Sequence, residues 1–328
     1  MRFLLILAAM LGVMLALIPN LIYLIVLGIG KLASFQVSYR PFAIVAGGLV
    51  LVLWGLLFYG YWWGRYRFQV KEVEYSSPAL PAGFDGARAV HISDLHLDGW
   101  EGRRDELQKA VGIINGLHPE FIFFTGDLVS FSSEELNPFA DILKGLEAPV
   151  YAVLGNHDYS PYDRRLTDEE REEMVRNLVR KERDILGWTV LLNESALIRR
   201  GGDTLAVAGV ENQSCGVHDV VRRGRLDDAL QGTEGLFRIL LSHDPSHWRA
   251  EVLPRTDIPL TLSGHTHAMQ TRILGFTPSK WLYPECDGLY TEEGRSLYVN
   301  IGLGGTLPFR IGARPEITLI TFVRSNHQ

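Results

Sequence analysis

The 328-residue sequence predicts an α/β domain, richer in strands towards its C-terminal end, preceded by two membrane-spanning helices. Three features predict it. Two long runs near the start, Phe3 to Gly30 and Phe42 to Gly64, carry no charged residue. From Ala87 onward, short apolar runs alternate with amphipathic stretches. After Gly288 the apolar runs are joined by short glycine turns instead.

Each of the first two runs exceeds the roughly 20 residues that cross a bilayer as a helix. Lys31 to Pro41 reads as the connecting loop, and Pro19 with Asn20 predicts a kink in the first helix. Tyr59, Tyr61, Trp62, Trp63 and Tyr66, flanked by Arg65 and Arg67, form an interfacial aromatic belt. A cleaved signal peptide would have an apolar core of about 7–15 residues, and no small-residue cleavage site is evident. Arg2, Arg65, Arg67 and Lys71 outnumber Lys31 and Arg40 of the loop. The positive-inside rule therefore predicts a cytoplasmic C-terminal domain, on a multi-pass membrane protein. The expected organisation is a membrane anchor at 1–70 and a catalytic domain at 71–328.

No Asp or Glu precedes residue 71. The 32 Lys and Arg residues, less the five in that stretch, leave 27 against 38 acidic residues, so the soluble part carries −11. An acidic body argues against nucleic-acid binding, which needs a positive stripe. Any phosphate chemistry then needs positive charge from another source. Cys215 and Cys286 form no C-x-x-C and no disulfide framework. With 47% hydrophobic residues the chain is neither disordered nor collagen-like.

Buried strands are expected at Ala87–Ser93, Phe121–Thr125, Val150–Leu154, Phe237–Ser242 and Ile258–Ser263. Helices are expected at Arg103–Leu117, Glu134–Leu146 and Asp168–Leu186, the last opened by the capping box Thr167 to Glu170. Gly288–Thr291, Ser296–Asn300 and Glu316–Val323 read as further strands.

The functional signal is positional. The five apolar runs end in Asp94-Leu95-His96, Gly126-Asp127, Gly155-Asn156-His157-Asp158, His243-Asp244 and Gly264-His265-Thr266-His267. In open α/β sheets, sites form outside the carboxyl ends of the strands. Residues two apart in extended chain point the same way, so Asp94 and His96 can face one centre, as can His265 and His267. Gly126, Gly155 and Gly264 precede ligand candidates, where a tight turn is expected. Mixed imidazole and carboxylate donors suit Zn, Mn or Fe. The donors are too many for one ion and fit two divalent ions with one bridging carboxylate.

These motifs, in this order, resemble the calcineurin-like metallophosphoesterase superfamily, and in particular its bacterial membrane-anchored branch. The resemblance implies a four-layer αββα sandwich over roughly Glu74 to Val323. It implies one metal held by Asp94, His96 and His267, a second by Asn156, His243 and His265, and Asp127 bridging them. His157 would face the phosphate and donate to the leaving oxygen, and Asp158 would orient it. Two ions about 3.5–4 Å apart clamp a phosphoryl group and lower the pKa of bound water towards about 7. Hydroxide would then attack phosphorus in line, with no covalent enzyme intermediate. Manganese is the favoured ion. Ala268 stands where this family frequently has glycine.

Other histidines fit blander roles: His91 in the core, His118 in a loop, His247 one helical turn after His243, with no pattern around His218 or His327. The run Asn300 to Gly305 fits either a β-turn or a phosphate nest. The resemblance places a similar segment near the site and so implies Arg310 as a substrate contact. Thr271 to Glu285 is apolar and aromatic. It fits either a lip that meets acyl chains, through Phe276 and Trp281, or a loop capping the core.

The resemblance and the anchor together predict hydrolysis of a lipid-linked phosphoester or pyrophosphate, from a UDP-2,3-diacylglucosamine-type glycolipid precursor or a phospholipid. The best-known lipid A branch of the superfamily has Arg where this chain has His157. The alternatives are an anchored phosphatase or phosphodiesterase for soluble substrates, and a non-catalytic metal-binding membrane scaffold.

Overall fold

A computed structural model describes residues 2–216 and 221–325. It divides into two units. One contains two long helices and Leu307–Ile311; the other runs from Tyr66 to Thr306 and resumes at Gly312.

In the first unit, α1 spans Arg2–Leu32 and α2 spans Arg40–Trp62. Both are long and apolar enough to cross a bilayer. Pro19 lies inside α1, and the Asn20 amide donates to Ala16 O at 2.7 Å. The Trp54 indole donates to Ala8 O at 2.9 Å and ties the two helices together. Leu4, Ala8, Leu57 and Phe309 bury one another.

The second unit contains twelve strands among the described residues. The first sheet holds β1 (Gln69–Ser77), β2 (Arg88–Ile92), β3 (Phe121–Phe124), β4 (Val150–Ala152), β5 (Thr189–Val190) and β12 (Glu316–Arg324). Its order is β1-β12-β2-β3-β4-β5. The second sheet holds β6 (Glu194–Arg200), β7 (Asp203–Gly209), β8 (Phe237–Leu241), β9 (Leu260–Ser263), β10 (Gly288–Glu292) and β11 (Arg295–Val299), in the order β10-β11-β9-β8-β7-β6. The five runs singled out above are β2, β3, β4, β8 and β9, and within each sheet they pair in parallel.

Their continuous apolar character follows from burial on both faces. Ala89, Phe121 and Phe123 face the gap between the sheets, where they meet Leu205, Ile239 and Leu262. Their neighbours Val90, Ile122 and Phe124 point the other way, against α3 (Arg104–Gly116) through Leu107, Val111 and Ile114. On the outer face of the second sheet, Ala208, Leu240 and Val299 pack on Trp248 and Val252. The period-2 alternation of strands thus builds three apolar layers between four layers of backbone, the expected αββα arrangement.

Two predicted elements differ. Glu134–Leu146 is not one helix: a 3₁₀ segment, Ser133–Phe139, precedes the short α4, Ala140–Leu143. Pro138 lacks an N–H, and Ser132 with Glu135 caps the earlier segment. The helix predicted at Asp168–Leu186 is α-helical only to Arg180 (α5), with a wider π turn over Lys181–Leu186. Its capping box is present: Glu170 N–H donates to Thr167 Oγ1 at 3.2 Å, and Thr167 N–H to Glu170 Oε2 at 2.7 Å.

Candidate metal centre

All five motif-bearing strands deliver their C-terminal residues to one place. Asp94, His96, Asp127 and His267 bring one donor atom each within 4.8 Å of one another. Asp127, His243 and His265 do the same. Asp127 is common to both groups. Its Oδ2 lies 3.5 Å from His96 Nε2 and 3.3 Å from His243 Nε2. Asn156 joins the second group through Oδ1, 3.1 Å from His243 Nε2 and 2.9 Å from His265 Nδ1.

The backbone that achieves this is strained. Asp94, His96, Asp127, His265 and His267 have φ of +55°, +47°, +57°, +73° and +50°. A non-glycine residue held there costs on the order of 1–3 kcal/mol, and such residues cluster at functional sites. The left-handed turn continues through Ala268, Met269 and Gln270. At Ala268, where the resemblance led us to expect glycine, the backbone keeps a conformation that glycine adopts freely.

The three glycines of the motifs serve two purposes. Gly126, at φ +89°, makes the turn that was expected and also packs closely, since a Cβ there would stand 2.3 Å from Gly155 N. Gly155 and Gly264 provide room alone: a Cβ on Gly155 would stand 2.2 Å from Asp127 Oδ1, and one on Gly264 1.9 Å from Ser93 Oγ.

Hydrogen bonds set each side chain. His243 Nδ1 lies 2.6 Å from the Thr125 carbonyl, which can only accept, so Nδ1 carries the hydrogen and Nε2 faces Asp127 and Asn156. His157 Nδ1 likewise donates to the Ser130 carbonyl at 3.1 Å, which leaves Nε2 as the atom a ligand can reach. His96 Nδ1 meets Ser130 Oγ at 3.1 Å, and His265 Nε2 meets the Tyr283 hydroxyl at 2.8 Å. Asn156 Nδ2 donates to the Tyr162 hydroxyl at 3.1 Å, which points Oδ1 towards the histidines. Tyr162 also packs its ring on His157, 4.8 Å between centroids.

Asp158 has a different job from the one expected. Its carboxylate accepts from the N–H groups of Asp127 (2.8 Å), Gly155 (2.9 Å) and Val129 (3.0 Å). It therefore pins the turn that carries Asp127, and the Ser130 carbonyl takes over the orienting of His157. Burial, then the neighbouring Asp127 carboxylate, pushes Asp158 up to about 7.

The buried charges of the site act strongly on one another. Burial pushes Asp94 up to about 6. Burial works against ionised Asp127 too, but His243, His157 and His96 outweigh it and hold that carboxyl well below its usual range. Burial opposes a charged His243, yet Asp127 and then Asp94 raise it to about 10. Without an ion, the His243 imidazolium balances Asp127; the clustered imidazole and carboxylate donors fit divalent ions of the Mn, Fe or Zn type.

Other sequence candidates fall elsewhere. His91 and His247 are buried outside both donor groups, bonded to Thr125 Oγ1 and Ser242 Oγ at 2.9 Å each. Burial lowers them to about 3 and about 4. His218 and His327 lie outside the described residues. The glycine run is a turn whose N–H groups face inward: Leu303 donates to Ser93 O and Gly304 to Asp94 O. Arg310 is buried and groups with the two long helices, its N–H donating to Gly60 O at 3.3 Å. Phe276 and Trp281 are exposed, with ring centroids 5.3 Å apart. Sequence patterns do not mark Ser130 or Tyr162, and mark Tyr283 only as part of the aromatic segment Thr271 to Glu285. Tyr162 follows His157 by five residues, but nothing in that spacing distinguishes it from an ordinary loop tyrosine.

Residues 87–269 match the model of the family described as calcineurin-like phosphoesterase. The chain is 30% identical over 294 residues to the uncharacterized metallophosphoesterase YkuE of Bacillus subtilis (strain 168), covering 81% of this chain and 91% of that protein. It is 33% identical over 265 residues to the transmembrane protein with metallophosphoesterase domain of Danio rerio, covering 77% of this chain and 56% of the relative. It is 27% identical over 212 residues to phosphodiesterase YaeI of Escherichia coli (strain K12), covering 62% and 71%.

Proposed function

The chain belongs to the calcineurin-like phosphoesterase family of metal-dependent phosphoester hydrolases, and from that premise we propose that it cleaves a lipid-linked phosphoester or pyrophosphate at a membrane surface. The proposed anchor is residues 1–70, with a catalytic domain at 71–328 facing the cytoplasm. Substrate candidates are a UDP-2,3-diacylglucosamine-type glycolipid precursor and a phospholipid.

The observation that carries the hydrolytic reading is the Asp127 carboxylate shared between two donor groups. We assign Asp94, His96 and His267 to one ion, Asn156, His243 and His265 to the other, and Asp127 to both, with manganese favoured. When bound, such a pair supplies Lewis acidity and lowers the pKa of water to near neutrality. The chain's own groups do the rest. The carbonyls of Thr125 and Ser130 fix the tautomers of His243 and His157. His157 offers its Nε2 to the phosphoryl or leaving oxygen as a hydrogen-bond or proton donor. Asp158 keeps the Asp127 turn in place. Phe276 and Trp281, close after His267 in the chain, support apolar contact with an acyl chain.

Two experiments test this reading. Treating the detergent-solubilised chain with a chelator is expected to abolish hydrolysis of a phosphodiester, and added Mn²⁺ to restore it. A panel of phospholipids and diacylated nucleotide sugars is expected to include a substrate that is turned over; hydrolysis of soluble esters alone would leave the soluble-substrate alternative standing.

Tyr283 provides a finer check. Its hydroxyl holds His265 Nε2, and Tyr283→Phe removes that bond while keeping the ring. Loss of such a supporting bond weakens metal binding about 10–100-fold. A metal titration of the variant is expected to show one of the two ions weakened and the other unchanged.

A further inference from the structure

We infer that the rim of the metal centre is a membrane-docking collar, with Leu274 at its tip entering the bilayer surface. The inference starts from where the second unit leaves its large apolar side chains. Among its described residues, ten such side chains are exposed. Five of them, Met269, Ile273, Leu274, Phe276 and Trp281, lie in the segment that follows His267. Two more flank the centre directly: Phe131 follows Ser130, and Tyr162 is bonded to Asn156. Soluble surfaces scatter such residues singly. Here seven of ten lie in three segments, 130–131, 156–162 and 265–283, that also carry residues of the site.

The tip is ordered. Ile273 N–H donates to Phe276 O at 2.9 Å, and Phe276 N–H returns to Ile273 O at 3.0 Å. They close a two-residue turn in which Leu274 and Gly275 have φ of +50° and +84°. Turns of this kind favour Asn-Gly. Leucine there accepts backbone strain and leaves its whole side chain in water, with 103% relative exposure. Entry into hydrocarbon would remove that surface from water. The turn is also stapled to the ligand-bearing segment, since Thr277 Oγ1 and the Thr271 N–H both donate to Ala268 O, at 2.6 and 3.2 Å. Trp281 suits the interfacial zone, and exposed Lys280 beside it suits anionic headgroups.

The choice of a lipid surface as occupant rests on the anchored reading above. The chain carries two helices long enough to span a bilayer. A membrane would then be the partner held beside the domain at all times, at high effective concentration. Docking of the collar would present the centre to a phosphoryl group that stays embedded by its acyl chains.

The test uses the full chain, reconstituted in phosphatidylcholine–phosphatidylglycerol vesicles. An NBD fluorophore is placed on Leu274→Cys in a Cys215→Ala background, and a second sample carries it on Leu197→Cys, exposed on the edge strand β6. Doxyl-labelled lipid is expected to remove most of the emission at position 274 and to leave position 197 near its unquenched value. Equal quenching at the two positions, or none at 274, overturns the proposal. So does a blue-shifted emission at 274 without lipid quenching, which would mean that a second copy or a protein partner covers the tip. Hydrolysis of a soluble phosphodiester by the same labelled protein reports separately on the phosphoesterase reading: its absence would defeat that reading and leave the quenching result intact.

Discussion

Asp127→Asn is expected to lower kcat/KM for a phosphodiester by about 10³-fold or more, and to reduce the bound metal measured by elemental analysis. Asp127 Oδ2 stands between His96 Nε2 and His243 Nε2, and its Oδ1 accepts the N–H of His157 at 2.8 Å. An amide cannot replace both oxygens: one becomes a donor, facing either that N–H or the two imidazoles. The change removes negative charge where both ions would share it. Metal stabilisation of the reacting phosphoryl group contributes several kcal/mol, and each 1.36 kcal/mol is tenfold in rate. Full activity in the variant would mean either that the carboxylate is not shared or that the activity belongs to a contaminant.

His157→Gln is expected to lower kcat by about 10²–10⁴-fold with metal content unchanged. His157 belongs to neither donor group, and its Nδ1 is committed to the Ser130 carbonyl. The size of the loss depends on the leaving group. An alkoxide needs a proton as the bond breaks, whereas p-nitrophenolate does not. The deficit should therefore be large for an alkyl ester and much smaller for a p-nitrophenyl ester. An equal deficit for both would show that His157 binds the phosphoryl group without donating a proton. Loss of metal in this variant would place it among the ligands instead.

The parallel strands were legible because burial on both faces makes them continuous apolar runs, and each stops at a glycine or a charged residue. The edges were not. β1 carries Lys71, Glu72 and Glu74, and β6 carries Glu194, Arg199 and Arg200, so neither reads as a buried run. In β1, Lys71 is paired with Glu316 of its neighbour at 2.5 Å, a partner almost 250 residues away that no local pattern reveals. The convergence of Asp94, Asp127, His243 and His265 was readable from strand ends. The hydrogen bonds of Ser130, Tyr162 and Tyr283 were not, because they depend on loop paths. The work of Asp158 could not be read either: adjacency to His157 in sequence says nothing about which backbone N–H groups its carboxylate reaches. The same holds for the glycines, where only the structure shows that Gly126 joins a turn to close approach, while Gly155 and Gly264 serve close approach alone.

Strand β12 lies between β1 and β2, parallel to the first and antiparallel to the second. It is also the last of the twelve strands to be synthesised. At elongation rates of about 5–20 residues per second, the ribosome spends some 10–50 seconds on the roughly 240 residues between β1 and β12. During that interval both apolar helices have already emerged, while the first sheet has a gap where β12 belongs. The first sheet of a nascent chain therefore cannot close until translation of the domain is nearly complete, and most of the second sheet is already synthesised by then.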